Sequence, residues 1–395
     1  LTTAVWGTRA VALVRLALHE TYTLLDVRNE PALASFRAEL RRQMATFPAE
    51  PYFPQLGALV AWRTNADPMP WLTRTLERDQ SAGRAHLLLA NVLARRQAQS
   101  QALMELRLAI EGDPSLSVRA SQLAIDWTRD PERLMRVVPD GTQGVEPLVA
   151  MAKRVPGREY DELRERLIDE ALRRNPDSPR VLLTHAEHLF EALTTGVDRC
   201  RDAARAKCVA TLESHARRLR HIDPRSFAGT EIVVRLLIAQ GQAERAAQRL
   251  DRPCFDFIDV ERCLRLRMTV AFETKNHDAL TQAARDYATS ICSGPRECAR
   301  VATWIGEFFR KRRMYAQAVS YLESAARDDP SVHRWLAVAD SAEAAGATGR
   351  QLNALQHVQR LPGGESPAVQ ARLNRAKDST SLFLLRKTAI EARVP

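Results

Sequence analysis

The stretch ARVATWIGEFFRKRRMYAQAVSYLESAARDDP, residues 299–330, decides the fold of this chain. It fits a helix-turn-helix register of about 34 residues, in which small side chains recur where two helices cross. Gly306 and Ala318 take the eighth and twentieth positions, and Leu322, a large apolar residue, takes the twenty-fourth. Pro330 ends the second helix because proline has no backbone N–H to donate. The stretch therefore predicts two antiparallel helices in close contact.

The same register fits residues 83–114, GRAHLLLANVLARRQAQSQALMELRLAIEGDP. Its eighth, twentieth and twenty-seventh positions hold Ala90, Ala102 and Ala109, and Pro114 follows. Weaker copies occur at 50–82, 145–176, 179–224 with an insertion, 227–250 and 333–362. We expect roughly nine or ten helical pairs along the chain, enough for a continuous core.

These positions resemble the tetratricopeptide repeat family over residues 50–362. The resemblance implies an all-α fold, an α-solenoid of tetratricopeptide-like helical hairpins that binds a partner. We expect a break between two subarrays at VVPDGTQGVEP, residues 137–147. The predicted domains are an N-terminal helical segment with a membrane-proximal start (1–49), a first subarray (50–139), a second subarray with cysteine-stapled loops (145–362) and C-terminal capping helices (363–395).

The layout of the chain carries a second resemblance. A basic repeat array after an apolar, arginine-interrupted helix looks like the soluble tail of bacterial O-antigen ligase or polymerase-type membrane proteins, in which the membrane portion performs the glycan chemistry. The first helix is not itself a membrane span, because Arg9, Arg15 and His19 interrupt it. The sequence begins with Leu1 rather than Met, so we expect a piece of a longer polypeptide whose only membrane contact lies upstream.

The net charge of +10 has two interpretations. A basic surface suits a polyanion partner. However, pairs such as Arg95-Arg96, Arg173-Arg174 and Arg217-Arg218 fall where helices are predicted to end, and cations there offset the helix dipole. We favour the helix-end interpretation for most of the arginines, which makes nucleic acid a disfavoured partner.

The six cysteines form three close pairs in the sequence. They are Cys200 with Cys208, Cys254 with Cys263, and Cys292 with Cys298. Zinc sites use shorter spacings, and isolated buried thiols remain an alternative. In an unbroken helix these separations correspond to a rise of about 9–14 Å, beyond the reach of a disulfide, but each pair meets a predicted helix break. We therefore predict sequential disulfides and an oxidising compartment, which we expect to be a bacterial periplasm.

The sequence offers little chemistry for catalysis. Phosphate-binding, dinucleotide-binding and H-E-x-x-H motifs do not occur in it. His185 and His188 lie near Glu187 and Glu191 on a predicted helix, but His185 falls at a packing position of the repeat. We interpret both histidines as packing residues rather than metal ligands. The prediction is a protein with no catalytic residues, no cofactor and no metal site.

First helices of successive hairpins line the concave face of such arrays, so a partner is expected in that groove. The candidate contacts are Asn91, Arg95, Glu307, Arg310 and Lys311. The arginine excess predicts a protein or peptide that is acidic, or an anionic glycan. Three functions stay open: an envelope interaction scaffold, a periplasmic tail that assists an O-antigen ligase-type glycan transferase, and a cytosolic regulatory or nucleic-acid-binding solenoid.

The pairing of the cysteines gives the first testable prediction. In protein purified from an oxidising compartment, non-reducing peptide mapping is expected to recover the three sequential pairs. Six free thiols would remove the argument for that compartment, and bonds between different pairs would contradict the sequential pattern.

Overall fold

The computed structural model describes residues 2–195, 200–250 and 252–378, with side chains from Val11 onward. Within these ranges the chain consists of helices and connecting loops, without a β-strand. The predicted all-α architecture of tetratricopeptide-like hairpins is confirmed. The chain divides into two compact units, Leu1–Cys200 and Arg201–Pro395.

Unit 1 is built from helices α1 to α11. Their bounds are α1 Thr2–Leu24, α2 Glu30–Thr46, α3 Tyr52–Arg63, α4 Met69–Arg78, α5 Gly83–Arg95, α6 Gln99–Gly112, α7 Ser117–Trp127, α8 Pro131–Met135, α9 Val145–Arg154, α10 Asp161–Arg174 and α11 Pro179–Thr195. Successive helices pack as hairpins, notably α3 with α4, α5 with α6 and α9 with α10. None of the helices in the described part of the chain combines the length and apolar character of a membrane span.

Unit 2 continues the pattern. Its helices are α12 Ala203–Ile222, α13 Ala228–Ala239, α14 Ala243–Gln248, α15 Val260–Glu273, α16 His277–Ile291, α17 Pro295–Lys311, α18 Tyr315–Asp328, α19 Val332–Ala344 and α20 Thr348–Arg360, followed by helical residues 367–378. The hairpins are α13/α14, α15/α16, α17/α18 and α19/α20. We call the first helix of each hairpin the A helix and the second the B helix.

The small residues of the register lie where A and B helices touch. A Cβ atom built on Gly306 of α17 would lie 2.6 Å from Cγ of Leu322 on α18, so only glycine fits without a shift. Ala318 and Ala325, the other small positions, are fully buried. In unit 1, Ala90 is likewise fully buried within the hairpin α5/α6. The register read from the sequence is therefore the packing register of the hairpins.

A left-handed residue closes the turn in several hairpins. These residues are Gln97, Gly241, Lys275, Arg313 and Gly346, with φ between 55° and 72°. In each turn the next backbone N–H donates to a carbonyl five residues back, as Met314 does to Phe309 at 3.0 Å. This pattern is the Schellman motif, which satisfies carbonyls at the end of the A helix.

The expected break at 137–147 does not separate the two units. Val137 and Val138 are buried in the core of unit 1, and the chain divides instead after Cys200. Pro139, Gly141 and Gly144 of this stretch lie in the short connection between α8 and α9, and Pro147 lies in α9 itself. The N-terminal segment also packs on the array, because Leu33 and Phe36 of α2 share a core with Phe53 of α3.

The contact at Gly306 gives a stability prediction. Replacing Gly306 by Ala is expected to lower the free energy of unfolding by about 1–2 kcal/mol, because overpacking outweighs the better helix propensity of alanine. Gly349→Ala in α20 is the control, since a Cβ there meets nothing within 4 Å. Chemical unfolding of the full chain measures both variants, and equal stabilisation by the two would contradict the close contact.

Candidate partner-binding surface

Ion pairs join neighbouring A helices of unit 2. Nη2 of Arg262 on α15 lies 2.6 Å from Oε2 of Glu231 on α13. Nη1 of Arg300 on α17 lies 2.6 Å from Oε1 of Glu261 on α15. We use the name A surface for ten charged or aromatic side chains of α13, α15 and α17 that are at least partly exposed, which are Glu231, Arg235, Glu261, Arg262, Arg265, Arg300, Trp304, Glu307, Arg310 and Lys311.

Glu261 organises the centre of the A surface. Its carboxylate accepts hydrogen bonds from Arg300 and from the hydroxyl of Tyr287, each at 2.6 Å, and from Arg265. The Arg300 hydrogen bond is the largest of the causes that lower the pKa of Glu261 to about 2. Tyr287 comes from the B helix α16 and is fully buried, and this burial raises its pKa to about 12. The cluster thus keeps one fixed charge state across the neutral range.

An aromatic ring lies beside this cluster. The guanidinium carbon of Arg265 is 4.9 Å from the ring centre of Trp304, and the ring of Tyr287 meets Trp304 edge-on at 5.4 Å. Trp304 is half-buried, so one part of the ring packs while another part reaches solvent. A cation on an indole face is a favourable arrangement. The combination offers a partner hydrogen-bond donors and an apolar surface side by side.

The structure places the predicted contact residues on two separate units. On unit 1, Asn91 donates its side-chain amide to the carbonyl of Leu87 on its own helix, at 2.7 Å. Arg95 stacks on the ring of Trp62, 3.6 Å from its centre. Both side chains therefore already have partners within unit 1.

The other three predicted contacts belong to the A surface of unit 2. Arg310 donates to Oε2 of Glu307 through Nη2 at 2.7 Å and through Nε at 3.0 Å. Lys311 follows at the end of α17 and is exposed. Their role as partner contacts remains a prediction.

The basic run RKRRMY, residues 310–315, covers the end of α17, the turn that follows and the first residue of α18. Arg312 lies 3.6 Å from the ring centre of Phe308, and burial lowers its pKa. Arg313 is the left-handed turn residue. The helix-end interpretation also holds for Arg95 and Arg174, which are the last residues of α5 and α10. It fails for the Arg217-Arg218 pair, which precedes the last turn of α12.

The histidines of α11 lie where packing residues are expected. His188 is buried and His185 is half-buried. Among the residues that the structure describes, no group of three or more His, Cys, Asp or Glu side chains is arranged to hold a metal ion.

Disulfides hold the loops between hairpins. Cys254, in the connection between α14 and α15, bonds to Cys263 of α15, with their Cα atoms 5.5 Å apart. Cys292, which follows α16, bonds to Cys298 of α17, with a Cα separation of 4.6 Å. These are the sequential pairs expected from the sequence. Cys200 and Cys208 are also disulfide-bonded, and no cysteine is free in the parts of the chain that the structure describes.

Three exposed apolar residues of unit 2 are absent from the sequence-based predictions. They are Ile222, Phe255 and Ile258, which are 39%, 68% and 63% exposed. The backbone N–H of Ile258 donates to the carbonyl of Arg225 at 3.0 Å, which holds the loop against the end of α12. The signal in the sequence was a run of aromatic and aliphatic residues inside a disulfide-closed loop. It did not reveal which side chains are exposed, because a loop lacks the helical period that indicates which residues face outward.

Comparisons with known proteins give only a distant likeness. No protein-family model and no curated protein matches the chain. Human IFIT1, solved as a dimer with PPP-AAAA, is 12% identical over 82% of this chain and 68% of its own, with a TM-score of 0.38. A chain of the Naa15/Naa10 structure bound to HypK-THB is 13% identical over 92% of this chain and 66% of its own, with a TM-score of 0.26. The TPR domain of P58(IPK) is 12% identical over 93% and 99%, with a TM-score of 0.26.

These identities and TM-scores are too low to carry an argument about function. The tetratricopeptide-like fold therefore rests on the helices of the chain itself, on the small residues at their crossings and on the repeated turns.

The Glu261 cluster predicts an acid dependence of stability. In an unfolded chain glutamate has a pKa of about 4.3, so between that value and the folded pKa the unfolded state takes up the proton first. The stabilisation from the Glu261 charge is therefore complete only above pH ~5, beyond the unfolded pKa, and is lost as the pH falls towards the folded pKa of about 2. In the variant Glu261→Gln, the free energy of unfolding is expected to change less with pH over this acid range. Unfolding measured at a series of pH values checks this.

The control for that titration is Glu323→Gln, which removes a carboxylate held by a single ion pair of 3.7 Å on the B helix α18. The control is expected to keep the wild-type acid dependence. Identical curves for the two variants would show that the Glu261 cluster does not form in solution.

Proposed function

We propose that this chain is a non-catalytic tetratricopeptide-like scaffold that binds a protein or peptide segment along the A surface of unit 2. The observation that supports this proposal is the continuity of that surface. Glu231–Arg262 and Glu261–Arg300 tie three A helices together, so their exposed groups form one fixed array. A fixed array reduces the entropy lost when a partner binds.

The chemistry of the A surface suits an extended acidic segment. Arg265, Arg300 and Arg310 each have an internal carboxylate partner, but a guanidinium carries five N–H donors. Donors left over by those pairs suit the carboxylates and carbonyls of a peptide, while Trp304 suits one apolar side chain. An anionic glycan would use the same donors and is the second form of this proposal.

The disulfides support an oxidising location, so we place the scaffold outside the cytoplasm, in a bacterial envelope. This location also disfavours a cytosolic regulatory role. An auxiliary role beside an O-antigen ligase-type glycan transferase rests on the layout of the sequence alone and stays a prediction.

A display selection tests the proposed surface without a known partner. Peptides from a random library are selected on the wild-type chain with its disulfides intact, and their affinities are then measured for variants. The double variant Arg310→Glu with Lys311→Glu is expected to weaken the selected peptides by at least about tenfold, roughly 1.4 kcal/mol, and to reduce the salt dependence of binding.

The matched control reverses the same number of charges on B helices, through Arg245→Glu on α14 and Arg327→Glu on α18. Both arginines are exposed and each has one internal partner, as Arg310 does. Affinities within about twofold of wild type are expected for the control. Equal losses in both double variants, or none in either, would exclude the A surface as the binding site.

A further inference from the structure

Two disulfides of unit 2 differ sharply in their exposure. Cys254 and Cys263 are 1% and 0% exposed, and both belong to the core. Cys292 is exposed and Cys298 is partly exposed. Thiol–disulfide exchange requires an attacking thiolate to reach a disulfide sulfur, so access separates the two bonds.

The exposed disulfide also has a favourable leaving group. Cys292 caps the C-terminus of α16, and Cys298 lies in the first turn of α17, where its N–H donates to the carbonyl of Gly294 at 2.8 Å. The N-terminal end of a helix stabilises a thiolate. Glu297 is the neighbouring carboxylate, and it is held by Ser293 and by Arg300, the latter at 3.7 Å.

We propose that Cys292–Cys298 is a thiol–disulfide exchange site that reacts with dithiols, such as the dithiol of a protein oxidoreductase, whereas Cys254–Cys263 is structural. One thiolate of the dithiol attacks Sγ of Cys292. The bond to Cys298 breaks, and its electron pair leaves on Sγ of Cys298.

The second thiolate of the dithiol then attacks the dithiol's own sulfur in the mixed disulfide. The bond to Cys292 breaks, and Cys292 leaves as a thiolate. Two electrons and two protons pass from the dithiol to the two cysteines, and the dithiol leaves as a disulfide.

This exchange acts on the helix that carries the A surface. Arg300 is two residues beyond Cys298, and its ion pair with Glu261 joins α17 to α15. Reduction releases the link between the end of α16 and the start of α17, so the first turns of α17 lose a covalent anchor. The site therefore couples redox state to the order of the A surface, and this coupling rests on the proposed function of that surface.

The test uses the full chain with its disulfides intact and dithiothreitol as the dithiol, without denaturant. Samples are quenched over time by alkylation, and mass spectrometry measures the reduced fraction at each cysteine. Cys292 and Cys298 are expected to become reduced together and at least about tenfold faster than Cys254 and Cys263, because the buried pair must wait for local opening. Equal rates for the two pairs, or faster reduction of the buried pair, would overturn the assignment.

The coupling has a separate readout. After selective reduction, hydrogen exchange is expected to accelerate at least about threefold in residues 295–304, while exchange in α18 stays unchanged. Reduction without any change in residues 295–304 would overturn the coupling. Neither measurement uses a binding partner, so failure of the peptide selection leaves both results interpretable.

Discussion

The close contact between Gly306 of α17 and Leu322 of α18 is the constraint on which the described surface depends. Helices approach this closely only where one of them lacks a side chain, and the larger neighbours then fill the remaining space. The contact fixes which face of α17 is buried against α18. It thereby fixes the other faces of α17, from which Arg300 pairs with Glu261 of α15 and Lys311 reaches solvent. The A surface is thus a consequence of hairpin packing.

Several of the charged side chains of this protein are engaged by other residues of the same chain. The net charge of +10 suggests a partner of opposite sign, yet Arg262 and Arg300 bridge neighbouring A helices, and Arg312 packs on Phe308. Such pairs contribute little stability individually where they are exposed, but they hold helices at a fixed register. Net charge alone is therefore a weak guide to the partner, and the local arrangement of donors at the A surface is a better one.

The fold was predictable because its signal is local. Gly306, Ala318 and Leu322 lie within one hairpin, and their spacing is visible in the sequence. The turns were harder to predict from the sequence. Lys275 and Arg313 adopt the left-handed conformation, which glycine usually adopts, so their residue types do not indicate it. The expected break at 137–147 does not coincide with the division of the chain after Cys200, and Val137, Val138 and Val145 of this stretch are buried in the core of unit 1.

The candidate site was predictable only in part, because its contacts join distant residues. Glu307 and Arg310 lie three residues apart on one helix, and the register placed both on the exposed face of α17. The Glu261 cluster draws on three helices, with sequence separations of 26 residues to Tyr287 and 39 to Arg300. No spacing in the sequence indicates such contacts. The exposure of Phe255 was missed because it depends on how a disulfide-closed loop is oriented.

A double-mutant cycle on Gly306 and Leu322 tests the packing account most directly. The free energy of unfolding is measured for Gly306→Ala, for Leu322→Ala and for the two together. If the helices meet at this point, truncating Leu322 makes room for the new methyl group, and the cost of Gly306→Ala falls by at least about 0.5 kcal/mol in that background. If the two costs simply add, the helices do not touch there, and the account of the A surface fails with that contact.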